Sequence, residues 1–169
     1  MALYPIRVFG DPVLRMRAGA VTTFDERLEK LVNDMIETMY AAPGVGLAAP
    51  QIGVSRRVAV FDAQDGEGAR VLINPELLET REVEEWDEGC LSVPGHYWEI
   101  TRPGFATVRG VDVTGQPVEY SGDGLMGRVL QHELDHLDGK LLLEHLPSKV
   151  RKQALRVLRE EALGLPAFE

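Results

Sequence analysis

One stretch, His132-Glu133-Leu134-Asp135-His136, constrains this chain more than any other. Residues four apart on a helix lie one above the other, so His132 and His136 can present two imidazoles to one ion. Glu133 stands beside them, able to move a proton at that ion without being its ligand. This is the H-E-x-x-H arrangement of metal-dependent amide hydrolases. Chance supplies it in roughly one chain in a hundred of this size. The flanks predict a helix over Gly124–Leu137, with Asp123 as its cap and Gly139 as its stop. Leu125 and Val129 fall on the histidine face, and Met126, Leu130, Leu134 and Leu137 form an adjacent apolar face. Only Arg128, Gln131, Asp135 and Asp138 read as a polar stripe. So apolar a helix is mostly buried, and a buried glutamate is rarely left unpaired. A metal ion accounts for the two histidines and the glutamate together.

Two ligands do not complete a catalytic site, which needs a third protein ligand and an open position. The chain offers His145, His96, Cys90 and many carboxylates. His145 follows the Gly139 break and so leaves the helix face. Cys90 sits in Glu88-Gly89-Cys90-Leu91-Ser92, between predicted strands, where glycine permits close backbone approach. A thiolate there completes a Cys-His-His set. It is the only cysteine and cannot close an internal disulfide. The blander reading of such a cysteine is a small core residue.

Elsewhere the pattern is simpler. Leu28, Leu31, Val32, Met35, Ile36 and Met39 recur at helical spacing, predicting a helix over 25–42. Thr23 and Glu26 read as its capping box, and Pro43-Gly44 end it. Between 57 and 120, short β-rich runs are broken by glycine, proline and aspartate: 58–61, 71–73, 97–100, 107–113 and 117–120. The segment 112–116 reads as a hairpin turn. A third helix is predicted over 148–163, closed by Gly164. The expectation is an α+β fold, with mostly antiparallel β-sheets packed around the central H-E-x-x-H helix and with an N-terminal and a C-terminal helix.

A chain of 169 residues suits one domain, residues 1–169, and its 44% apolar and 27% charged composition is that of a globular protein. No apolar run is long enough to span a bilayer. The first residues lack a basic region followed by an apolar core, so no signal peptide is expected and the location read from the sequence is cytoplasmic. A net charge of −9 argues against a protein built to grip nucleic acid. The local exception is Lys149, Arg151, Lys152, Arg156 and Arg159, either a solvated helix face or a docking surface for an acidic partner.

Three segments together resemble the peptide deformylases: Gly44-Val45-Gly46-Leu47-Ala48-Ala49-Pro50-Gln51, then Glu88-Gly89-Cys90-Leu91-Ser92, then Gln131-His132-Glu133-Leu134-Asp135-His136-Leu137. The likeness runs from Tyr4 to the final helix. It implies removal of the formyl group from N-formylmethionyl nascent peptides. It implies Cys90, His132 and His136 as ligands of one divalent ion, Fe²⁺ in the cell, with Zn²⁺, Ni²⁺ or Co²⁺ also suited to the donor set. Glu133 would carry the proton from water to the leaving amine. Gln51 and the Leu91 N–H would stabilise the oxyanion, and Gly46 would bind the substrate backbone. Val45, Trp86, Leu125 and Val129 would wall a methionine pocket. The chain departs from the common pattern there. Trp86 is larger than the usual aliphatic residue and is expected to tighten the pocket. Arg128 replaces a residue that is often apolar, Tyr97 stands for a frequent arginine, and Ala41 for an acidic residue.

The residue chemistry agrees with those roles. A formamide is a poor electrophile and neutral water a poor nucleophile, so a Lewis acid and oxyanion donors address the two difficulties separately. Gln51 is uncharged and can donate without competing for the metal. Gly44-x-Gly46 could open a nucleotide loop, but Ala49-Pro50 follows where such a loop needs a helix and a third glycine. The rival readings are a zinc endopeptidase, a cysteine hydrolase with Cys90 as nucleophile, and a closed structural metal site. Two further expectations are that Asp135 pairs with Arg102 as a brace for the helix and that the basic C-terminal helix contacts the ribosome. No membrane partner and no sequence-specific nucleic-acid binding are expected.

Overall fold

The computed structural model describes residues 2–165. Three helices, α1 (Glu26–Ala41), α2 (Gly124–Leu137) and α3 (Ser148–Ala162), accompany five strands: β1 (Gly46–Ala48), β2 (Val58–Phe61), β3 (Arg70–Gly89), β4 (Tyr97–Val111) and β5 (Pro117–Gly122). The strands form one antiparallel sheet in the order β1-β2-β3-β4-β5. It folds about α2, which touches every strand. The α+β expectation with a central histidine-bearing helix therefore holds.

Buried apolar faces explain the arrangement. Leu28, Val32, Met35 and Met39 turn one side of α1 onto Leu47, Val58, Val60 and Ile73 of the sheet. Val129 and Leu130 of α2 pack with Phe61, Leu72 and Val108. A separate cluster under α3 joins Ala154 and Leu158 to Val93, Ile100, Leu142 and Leu143.

Several local expectations need correcting. The cap of α1 is Asp25, whose carboxylate accepts from Leu28 N–H at 3.0 Å, and not the Thr23–Glu26 box. Asp123 occupies the cap position of α2 without a side-chain bond to it. Strand β1 was not anticipated, and β3 is 20 residues long where only 71–73 read as strand. Beyond Ile73, where it forms a ribbon with β4, its own side chains are mostly exposed, so its few apolar residues, Leu77, Leu78, Val83 and Trp86, follow no alternation and the period-2 signal is lost. The two runs 97–100 and 107–113 are one strand that passes through Pro103-Gly104 and ends at Val111. The turn at 112–116 forms as expected, with Asp112 N–H donating to Gln116 O at 2.9 Å.

The supposed polar stripe of α2 is the larger correction. Arg128 and Gln131 are buried, at 3% and 7% exposure. Gln131 Nε2 donates to Pro103 O at 2.7 Å and to Gly127 O at 2.9 Å. Strand β5 pairs only with Ala106–Val111, so at Pro103 one side of β4 is free and the helix takes that place. The approach is close because position 127 has no side chain. A Cβ there would strike the Gly104 carbonyl and lie 2.8 Å from Gly122 O, both backbone atoms that cannot yield. Helix propensity alone favours alanine over glycine by about 1 kcal/mol, but overpacking against backbone costs about 1–3 kcal/mol. Gly127→Ala is therefore expected to lower the thermal midpoint by several degrees; a raised midpoint in a melting experiment would show that propensity wins.

Candidate active site

Two distant parts of the chain meet at one point. The end of β3 and the following turn deliver Cys90, while α2 delivers His132 and His136. Cys90 Sγ lies 3.2 Å from His136 Nε2, and the two histidine Nε2 atoms lie 3.1 Å apart. All three donor atoms fall within 4.8 Å of one another. His132 Nδ1 faces Glu88 Oε1 at 3.5 Å, which orients the ring with its Nε2 toward the cluster. Two ring nitrogens and a cysteine sulfur converge here, the donor types that a divalent metal takes. The donor set thus fits a divalent metal such as Zn²⁺ or Fe²⁺. His145 and His96, the other candidates for a third ligand, are engaged elsewhere: His145 Nε2 meets Asp135 Oδ2 at 2.7 Å, and His96 Nε2 meets Glu161 at 2.9 Å.

The electrostatics agree. Burial would raise the Cys90 thiol, but the imidazoles of His136 and His132 outweigh it and hold Cys90 well below the usual thiol range. Glu133 is 3% exposed, and its Oε2 has no hydrogen-bond partner among the described residues. Burial pushes its carboxyl up to about 7, against the opposing charges of His132 and His136. Its other oxygen lies against Gly46, where any Cβ would collide with it; Val129 Cγ2 would be 2.9 Å from that Cβ. This close approach is the structural reason for glycine at 46.

A cavity of about 590 Å³ opens beside this cluster. Val45, Gly46, Gln51, Trp86, Cys90, Leu91, Leu125, Val129, His132 and Glu133 all line it, so it gathers every site residue expected from the sequence except His136, which sits behind Cys90. Gln51 is buried and oriented. Its Oε1 accepts from Ala48 N–H at 2.9 Å, which turns Nε2 toward Ser92 Oγ at 3.1 Å and Cys90 Sγ at 3.6 Å.

A family model described as polypeptide deformylase matches residues 3–152. The chain belongs to the polypeptide deformylase family. The peptide deformylase of Acidothermus cellulolyticus is 51% identical over 160 residues, covering 95% of this chain and 88% of that one. That of Azotobacter vinelandii is 44% identical, covering 95% and 97%. Among solved structures, the Legionella pneumophila peptide deformylase superposes with a TM-score of 0.89 at 46% identity, covering 95% and 96%. The Thermotoga maritima enzyme does so at 0.83 and 49%, covering 87% and 99%. The deformylases are metal-dependent hydrolases, and the Cys90-His132-His136 cluster is the metal site of this one.

The deformylase site also has a support that the sequence reading found only in part. Arg102, 5% exposed, does pair with Asp135, Nη1 to Oδ2 at 3.1 Å, but its Nη2 also reaches Glu88 Oε2 at 2.7 Å. One guanidinium therefore ties α2 to the strand end that leads to Cys90. Glu88 was quoted in a motif but given no role; its place two residues from Trp86 on β3, on the same face, was the available signal. Burial raises the Glu88 carboxyl, yet His132 and Arg102 outweigh it and hold it below the usual range. Removing one partner of such a buried pair costs about 3–5 kcal/mol, and loosening a ligand's outer support costs about 10–100-fold in metal affinity. Arg102→Met is expected to show both losses, by thermal denaturation and by metal competition with a chelator; unchanged metal affinity would separate the brace from the site.

Proposed function

We propose that residues 1–169 form a single catalytic domain that removes the formyl group from N-formylmethionyl nascent peptides in the cytoplasm, using Fe²⁺ held by Cys90, His132 and His136. The observation that carries this reading is the buried, unpartnered Glu133 carboxyl at the wall of a substrate-sized cavity, beside three converging metal donors. A divalent ion in that set supplies Lewis acidity, acidifying water and polarising the formyl carbonyl. Glu133 accepts the proton of the attacking water and returns it to the amine nitrogen as the carbon–nitrogen bond breaks and formate leaves. Gln51 Nε2, fixed by Ala48, and the Leu91 N–H donate to the carbonyl oxygen as charge develops on it. Gly46, in edge strand β1, binds the substrate backbone. Val45, Trp86, Leu125 and Val129 enclose the methionine side chain.

The Cys90–His136 contact at 3.2 Å would also suit a thiol nucleophile. Chelation separates the two readings, because a cysteine hydrolase keeps its activity without metal. The proposed partner surface is the basic side of α3. Arg151 is not free for it, since its Nη2 donates to Leu146 O at 3.1 Å, and Arg156 pairs with Glu160 at 3.0 Å. Lys149, Lys152 and Arg159 are exposed and carry the charge that an RNA-rich ribosomal surface would meet. No helix among the described residues is long and apolar enough to cross a membrane.

Two measurements follow. Anaerobically prepared, Fe²⁺-loaded protein is expected to release formate from formyl-Met-Ala-Ser. Glu133→Gln should lose at least about a hundredfold in kcat while still binding metal, and a chelator should abolish the activity; full activity in chelator would favour the thiol mechanism. Reversing charge at Lys149, Lys152 and Arg159 is expected to reduce co-sedimentation with ribosomes at low salt, and equal co-sedimentation would remove α3 as the docking surface.

A further inference from the structure

Arg128 is a buried charge that the chemistry leaves unused. Its Nη1 donates to Ile100 O at 2.9 Å and its Nη2 to Glu84 O at 2.6 Å, while Nε has no partner among the described residues. Both acceptors are backbone carbonyls of the β3–β4 ribbon, and Trp86 lies directly across from Ile100 in its register. The guanidinium carbon lies 5.7 Å from the centroid of the Trp86 ring, within the range of a cation–π contact. Trp86 and Arg128 line the cavity together with Leu125 and Val129, and the indole is 37% exposed at its rim.

The two carbonyl bonds help to seat α2, but seating the helix does not by itself call for a full charge. A buried cation whose hydrogen bonds go only to neutral carbonyls carries a desolvation cost with no directly bonded counter-ion. What the arginine supplies is geometry. Its planar fork is fixed at two points on two strands, so it presents a flat cationic face at a set position. Without that face, a rim tryptophan that is more than a third exposed keeps the rotamer freedom to swing away from the cavity.

We propose that Arg128 is a positioning residue that holds the Trp86 indole across the substrate pocket, and that the pair sets the longest side chain the pocket admits. The occupant is an unbranched apolar side chain of about methionine's length, and longer chains meet the indole. This inference rests on the formyl-peptide reading of the site. A methylene more or less in an apolar pocket changes discrimination by about tenfold or more, so the effect is readable in kinetics.

The test measures formate release from formyl-X-Ala-Ser peptides, with X as norvaline, methionine or 2-aminooctanoic acid, for wild type, Arg128→Met, Trp86→Ile and the double variant. Each single variant is expected to raise kcat/KM for the octanoic analogue relative to methionine by roughly tenfold, mainly through KM. The double variant is expected to go no further than Trp86→Ile alone, because Arg128 acts through the indole. In a Trp98→Phe background, where Trp86 is the only tryptophan, Arg128→Met is expected to red-shift its emission and make it more accessible to acrylamide. An unchanged substrate ratio in Arg128→Met overturns the proposal. So does an undiminished Arg128→Met effect in the Trp86→Ile background, which would mean direct contact with substrate. If wild type releases no formate from any peptide, the functional reading fails, and unaltered Trp86 emission would then independently overturn the positioning role.

Discussion

The site depends on one buried guanidinium. Cys90 follows a long strand, and the histidines lie more than forty residues later on a helix; nothing local holds one against the other. Arg102 does so by bonding Glu88 at the strand end and Asp135 on the helix. Both carboxylates stay ionised at neutral pH despite burial, because the arginine and the neighbouring histidines compensate them. His145 adds a further donor to Asp135 from the turn that precedes α3. The brace thus reaches the C-terminal part of the chain, and Glu88 carries it on to the ring of His132. Ligand spacing is held by charges outside the donor set.

The same logic governs how α2 is seated. An apolar helix inside a folded sheet could slide or rotate with little penalty, since apolar contacts are not directional. Its polar residues remove that freedom. Gln131 satisfies the Pro103 carbonyl, Arg128 satisfies Ile100 and Glu84, and Gly127 lets the backbones come close enough for these bonds to form. The polar side of this helix is therefore a docking face.

That explains what the sequence could and could not disclose. His132, His136 and Glu133 were legible because the chemistry demands those residue types at a fixed helical spacing, whereas Cys90, more than forty residues earlier, was legible only through its own motif. Helix α1 was legible because one face of it is buried, so Leu28, Val32, Met35 and Met39 repeat. The outer part of β3 was not, because it is exposed along most of its length and no apolar alternation survives from Glu76 to Asp87. The stripe through Arg128 and Gln131 was misread because polarity in a helix normally signals water, and the carbonyls that replace water here belong to a strand end far away in sequence. Arg102 could be paired with Asp135 from the sequence, but its second bond to Glu88 depends on the register of β3 against β4, which no local pattern encodes.

Recognition and chemistry share a single rigid ruler. Leu125, Val129, His132, Glu133 and His136 rise along one side of α2, and Val129 stands four residues, about 6 Å of rise, below Glu133. On the proposed reading, a substrate side chain lying against Leu125 and Val129 has its amide end carried toward Glu133 and the metal donors by the helix itself, with no loop between the two functions. Positioning on a regular element is tighter than positioning on a loop. It leaves the outer wall, at Trp86 on the solvated ribbon, as the place where the pocket can change without moving a metal ligand. Trp86, Arg128 and Tyr97 all line that cavity, and none of them is a metal donor. A deformylase built this way can vary which peptides it accepts while keeping one mechanism, because the inner wall sets the reaction geometry and the outer wall sets the fit.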